Sequence, residues 1–376
     1  MVIALGVAQT LAWGSTYYLP AILANAMAAE LGITTAWIFT AFSVGLLLSA
    51  FLGPAAGRLI DVHGGRRVLP VSNLVFAAGL ALLGLSSGMI SLFAAWLVIG
   101  IGMSAGLYEA AFSTLAGIYG RDARRSITGI TLIAGFASTV CWPLSAYMDV
   151  TIGWRATCFV WAAAHLLIGL PINLLLPPGS HAEKKPAVPE QEAPRGRLLV
   201  MAGLSFVFAA AWFGSTAMAA HLPRVLQESG ASLAAAVAAA ALIGPAQVAA
   251  RFLEFWLMRR VHPIVSARIA TLAHPVGAAG LIVVGSPAAS AFTLIHGAGN
   301  GVMTISIGTL PLALFGAAGY GLRQGILMAP ARLFSASAPF LFDLLLTRFG
   351  TAALAFTSGL GIAAFAVLML LPVKAR

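Results

Sequence analysis

Apolar runs of about twenty residues follow one another from end to end of this 376-residue sequence. That is the length a helix needs to cross a 30 Å hydrocarbon core. Cutting at charged and Pro/Gly-rich breaks gives twelve runs, near 3–29, 34–59, 68–87, 90–118, 127–149, 154–176, 198–226, 232–257, 264–285, 288–316, 324–347 and 350–372. The short alternating segments of a membrane barrel are absent. Only 9% of the residues are charged, against about 25% in soluble domains. The pattern predicts an all-α membrane protein that crosses the bilayer many times.

The formal charge is +10, which in a soluble protein would suggest nucleic acid. Here the cations sit in short connections between apolar runs, where they set membrane orientation. Arg58, Arg66, Arg67, Arg121, Arg124, Arg125, Lys184, Lys185, Arg195, Arg197, Arg259, Arg260, Arg323, Lys374 and Arg376 fall on one side, with Arg155, Arg224 and Arg348 on the other. Both termini and the long connection are therefore expected in the cytoplasm, and the protein in the cell membrane. No aromatic-interleaved basic groove is present, so nucleic acid is not an expected partner. Cys141 and Cys158 lie in different runs without metal-ligand spacing and read as core residues. The first run lacks a basic n-region and a cleavage site, and reads as a retained span.

The longest connection, "PPGSHAEKKPAVPEQEAPRGR" at 177–197, is polar and Pro-rich. It divides the chain into 1–176 and 198–376, six runs each, and the two sets resemble one another. "AWGSTYYLP" in the first run parallels "AWFGSTAMAAHLP" in the seventh. "GPAAGRLID" in the second parallels "GPAQVAARFLE" in the eighth, each with an acid three residues after an Arg. "GIGMSAG" in the fourth parallels "GAGNGVM" in the tenth. Gly129 and Pro143 are fourteen apart in the fifth, as are Gly325 and Pro339 in the eleventh. Four matches in one order predict a duplicated six-helix unit.

The charged stretch between runs two and three reads Gly57, Arg58, Leu59, Ile60, Asp61, Val62, His63, Gly64, Gly65, Arg66, Arg67. With two related sets of six spans and "GWR" at 153–155, it resembles the major facilitator superfamily of secondary transporters. Val62 stands where that family usually has a cation. The resemblance implies two six-helix bundles related by a pseudo-twofold axis, rocking about a midplane site. It also implies a cytoplasmic latch built from Gly57, Arg58, Asp61, Gly65, Arg66 and Arg67. An alternative reading of those residues is an interfacial anchor and topology signal alone.

Charges inside the bilayer each need a reason, since one at the centre costs about 2.5–3.5 kcal/mol. Along a helix rising 1.5 Å per residue, Glu109 lies about 18 Å from Arg121, Arg251 about 12 Å inside Arg259, and Arg332 about 13 Å inside Arg323. "AQVAARF" around Arg251 is similar to the monocarboxylate-porter branch, with Gln247 where that branch has an acid and Ala21 where it has a Lys. Arg251 and Arg332 are thus candidate anion-binding residues, and pairing of Arg251 with Glu254 is the competing reading. Glu109 suits proton coupling, or else a fixed structural pair. His296 and Asn300 share a helix face, and with Tyr17, Tyr18 and Trp212 they are candidate cavity residues. His165 and His274 are expected to be structural.

No P-loop, HExxH or Gly-x-Ser-x-Gly motif occurs, so neither enzymatic chemistry nor ATP hydrolysis is expected. No catalytic residue, metal or cofactor is predicted. The expected cargo is a small organic anion, moved by alternating access with protons or another ion as co-substrate, and the working unit is expected to be a monomer in the lipid bilayer. The alternatives are proton-coupled efflux of amphipathic or cationic compounds and, from another class, a channel or a non-transporting sensor.

Overall fold

The computed structural model describes residues 1–177, 195–257 and 261–371. Most of the 177–197 connection lies outside them, as do Lys184, Lys185, Arg259, Arg260, Lys374 and Arg376. The described residues are helical almost throughout and contain no strand. Nine helical runs among them are long and apolar enough to cross a membrane. Two of these, Ala123–Leu174 and Tyr320–Leu370, are 52 and 51 residues long, about twice one crossing. Each is broken by a glycine, Gly153 at φ 82° and Gly350 at φ 55°, a region closed to most side chains and open to glycine. The first crossing falls outside the nine because it is built in pieces: Val2–Ala12, a wide π turn at Trp13–Tyr17, and Pro20–Leu31. Twelve crossings result, in register with the twelve apolar runs.

The described residues form two compact units. One comprises those up to 177 together with Phe315–Ile326, and the other comprises the rest.

In the first unit, span two is Thr35–His63 and span three is Gly65–Gly84. Span four is two helices, Met89–Gly106 and Tyr108–Tyr119, separated at Leu107, which is extended at φ −87° and ψ −168°. A broken helix leaves carbonyls without partners, and in lipid these must be satisfied by protein. Gln9, buried in span one, does this: its Nε2 donates to the Gly106 carbonyl at 2.8 Å. The sequence reading placed one unbroken span here, and no proline announces the break. At one end of the unit Arg155 gathers three helices, donating to Glu30 and to the carbonyls of Gly84 and Ser86. Hydrogen bonds from Arg155 and Trp154 hold the exposed Glu30 carboxyl, beyond the apolar run of span one, below the usual carboxylate range.

In the second unit, span seven is Arg195–Glu228, and span eight is Leu233–Ala240 followed by Ile243–Leu257. Spans nine, ten and twelve are Pro263–Val284, Ala289–Phe315 and Leu354–Leu370. Span eleven, Tyr320–Phe349, contributes the part from Leu327 onward. Phe213, Met218, Phe292 and Phe342 fill the core between them. Arg224 on span seven donates to Asp343 and Thr347 on span eleven. Arg268 on span nine donates to the Leu368 carbonyl in the last turn of span twelve, a favourable place for a cation.

Candidate substrate site and helix clamp

The charged stretch after span two folds onto the start of span eleven. Asp61 Oδ1 accepts from the Gly321 amide and Oδ2 from the Leu322 amide, both at 2.8 Å. These are amides of the first helical turn, which have no partner within the helix, and the carboxylate also suits the positive end of the helix dipole. Beneath this cap the backbones nearly touch. A Cβ on Gly57 would stand 2.0 Å from the Gly321 carbonyl oxygen, and one on Gly321 would stand 2.2 Å from that of Gly57. One turn on, a Cβ on Gly325 would stand 2.6 Å from the Gly53 carbonyl oxygen. "GPAAG" and "GLRQG" are therefore two small-xxx-small faces laid against each other. Gly65 is buried against Thr114, whereas Arg58, Arg66 and Arg67 are exposed. Arg323, grouped in the sequence with the orienting cations, is buried instead and donates to the carbonyls of Gly316 and Ala318.

Glu109 occupies the first turn of the half-helix Tyr108–Tyr119 and is half-buried. The break at Leu107 thus turns a mid-span residue into one at a helix N-terminus, where amide dipoles favour negative charge. Its neighbour Tyr108 belongs to a continuous cluster of rings. Trp13 lies 5.0 Å from Tyr17, 6.1 Å from Tyr18 and 4.9 Å from Tyr108 between ring centroids. Tyr108 stacks on Phe112, Tyr17 meets Phe42, and Tyr18 meets Trp142. Thr16 Oγ1 donates to the Ala12 carbonyl of its own helix, and Ser15 Oγ lies 2.7 Å from the Leu11 carbonyl.

His165 ties three spans of the first unit together. Its Nε2 lies 2.8 Å from Ser15 Oγ on span one and its Nδ1 lies 2.9 Å from Asn73 Oδ1 on span three. Asn73 Nδ2 donates to the Leu69 carbonyl at 2.9 Å.

The second unit holds a cavity of about 50 Å³, walled by spans seven, nine, ten and twelve. His296 and Asn300 line it together, as the i, i+4 spacing predicts, with Ser215, Thr271, His274 and Thr357. His274 Nδ1 lies 3.0 Å from His296 Nδ1, and its Nε2 lies 2.7 Å from Thr357 Oγ1. His296 is 4% exposed, and its Nε2 has no hydrogen-bond partner. An unsatisfied buried group of this kind costs about 1–3 kcal/mol. His274, read from the sequence as structural, therefore belongs to the cavity wall. Nothing local in the sequence joins it to His296, because they sit on different spans.

Arg251 is 5% exposed, with Nη2 at 3.4 Å from Thr304 Oγ1 on span ten. Thr304 follows His296 and Asn300 on one helix face, at i+8 and i+4. Glu254, equally buried, accepts from Ser266 Oγ on span nine at 3.1 Å. Trp212 is half-buried, and its indole N–H has no hydrogen-bond partner. Arg332 is half-buried on span eleven.

Twelve apolar crossings with polar side chains gathered at mid-helix make this a multi-pass membrane protein. The model of the Major Facilitator Superfamily matches residues 5–319, and the chain belongs to that family: it is a transporter with the family's twelve helices in two halves. Solved structures agree in fold. The human organic anion transporter MFSD10 (TETRAN) superposes with a TM-score of 0.74 at 18% identity, over 98% of each chain. The proton:xylose symporter XylE, bound to 6-bromo-6-deoxy-D-glucose, gives 0.78 at 14% identity, over 99% of this chain and 96% of that one. The fucose:proton symporter FucP of E. coli, in its outward conformation, gives 0.78 at 15% identity, over 98% and 97%.

Proposed function

We propose that the protein is a secondary active transporter that carries a small, monocarboxylate-like organic anion across the cell membrane by alternating access, coupled to protons. Arg251 carries this reading. A guanidinium buried in an apolar span is costly, and one placed beside the polar face of span ten offers a fixed positive charge to an anion. Arg332 adds a second cation, and His296, Asn300, Trp212, Tyr17 and Tyr18 supply polar and aromatic lining. Glu109, at its half-helix terminus, takes up the proton in one facing state and releases it in the other. Asp61, with Gly57, Arg58, Gly65, Arg66 and Arg67, forms the cytoplasmic latch, made and broken as access alternates, and both termini face the cytoplasm. The neighbours in fold include an organic anion transporter and sugar symporters, so cargo has to be argued from the side chains.

The test is flux in proteoliposomes with imposed pH and voltage gradients, comparing short carboxylates with lipophilic cations. Arg251→Ala should lower carboxylate uptake about thirty-fold or more, equivalent to about 2 kcal/mol of lost charge-assisted binding, in protein that is still folded. Unchanged uptake removes Arg251 from the site. Glu109→Gln should keep counterflow and lose proton-driven accumulation; loss of both would mean that Glu109 binds cargo or holds structure. The ring cluster from Trp13 to Phe112 favours one second reading, efflux of amphipathic cations with Glu109 as counter-charge. Proton-driven export of the lipophilic cations without carboxylate flux would select it.

A further inference from the structure

Two imidazoles and a hydroxyl form one hydrogen-bonded chain in the second unit, and its polarity follows from counting protons. Thr357 Oγ1 donates to the Leu354 carbonyl at 3.1 Å. A threonine hydroxyl has one proton, so toward His274 it can only accept, and His274 donates from Nε2. A neutral imidazole carries one N–H. His274 Nδ1 is then an acceptor, His296 Nδ1 donates to it across 3.0 Å, and His296 Nε2 keeps a bare lone pair. This polarity makes all three contacts hydrogen bonds, whereas the reverse gives up the bond from Thr357 to Leu354.

We propose that His296 Nε2 is an acceptor subsite that takes a hydrogen-bond-donating head of the cargo, a hydroxyl or an ammonium group. The nitrogen is buried and has no partner, and its ring lines the cavity beside Ser215, Thr271 and Asn300. Phe292 stacks on the same ring with centroids 5.9 Å apart and fixes its plane. No Asp, Glu, Lys or Arg lines the cavity, and His274 is the other titratable group on its wall. About 50 Å³ is room enough for such a head, since about 10–15 Å³ by the same measure already holds one water. A carboxylate is excluded from this spot because its lone pairs would face that of the imidazole. Resting on the organic-anion reading, the inference narrows the cargo to a carboxylate that also bears a hydroxyl or amino substituent.

Calorimetry on the full-length protein in lipid nanodiscs tests this with propionate, 2-hydroxypropionate, alanine and glycerol. The expected result is that 2-hydroxypropionate or alanine, whichever head the site takes, binds at least about ten-fold more tightly than propionate. His296→Phe should bring that ratio close to one. Equal binding of propionate and both substituted acids overturns the proposal. His296-dependent binding of glycerol, with no carboxylate bound, would keep the acceptor subsite and remove the organic-anion reading instead. Nitrogen-15 spectra of histidine-labelled wild-type protein decide the matter whichever probes bind. They should report Nδ1–H at His296 and Nε2–H at His274, and the opposite tautomers would overturn the proposal without any variant having to fold.

Discussion

In the first unit, the Asn73 amide nitrogen is committed to the Leu69 carbonyl, so its oxygen faces His165 Nδ1–H, and His165 Nε2 accepts the Ser15 hydroxyl proton although the Leu11 carbonyl is as near. In the second unit, the corresponding chain runs from His296 through His274 to Thr357 and the Leu354 carbonyl. Both chains pin three spans through a histidine and end on a backbone carbonyl. They differ at the other end. The first begins at a serine and is sealed by backbone, because a Cβ on Gly169 would stand 2.1 Å from Asn73 Oδ1. The second begins at an imidazole nitrogen without a partner, on the wall of a cavity. One device serves as a cross-link where it is closed and as a binding group where it is open.

Three substitutions would break or sharpen that contrast. The largest effect is expected from Asn73→Leu, which strands the His165 N–H in a site with no room for a replacement. It should cost about 1–3 kcal/mol, read as a lower melting temperature of the purified protein. Thr357→Val should cost less, about 1 kcal/mol, because the second chain can reverse and place the His296 proton on Nε2; the imidazole nitrogen-15 shifts would record that reversal. His296→Phe should be the mildest for stability, within about 1 kcal/mol of wild type, since it removes the unsatisfied Nε2 and leaves the His274 Nδ1 acceptor without its donor on the wall of a cavity with room for a water. If His296→Phe proves as damaging as Asn73→Leu, the second chain is a closed cross-link too, and the distinction fails.

The crossings were legible in the sequence because hydropathy is a local property, and the pairing of His296 with Asn300 was legible because both sit on one helix. What escaped depends on contacts far apart in the chain. The break at Leu107 needs Gln9 to satisfy a freed carbonyl, 97 positions away, and only Gly106 hints at it. Arg323 reads as an orienting cation until the Gly316 and Ala318 carbonyls come within its reach. Arg251 and Glu254 invite pairing by spacing, yet each also bonds to a different neighbouring span, through Thr304 and Ser266. Asp61 was legible as a helix-end acid, but its partners Gly321 and Leu322 lie some 260 residues away.

Where Gly57 meets Gly321, main chain rests on main chain with no side chain between. Such a seam freezes no rotamers when it forms and frees none when it parts, so it can be unzipped and resealed in the same register without any repacking to relearn. Its strength is then concentrated in whatever fastens its rim, and the two Asp61 hydrogen bonds are fasteners that water can replace one at a time. Even a single methyl group added to either glycine would act as a wedge driven into the joint.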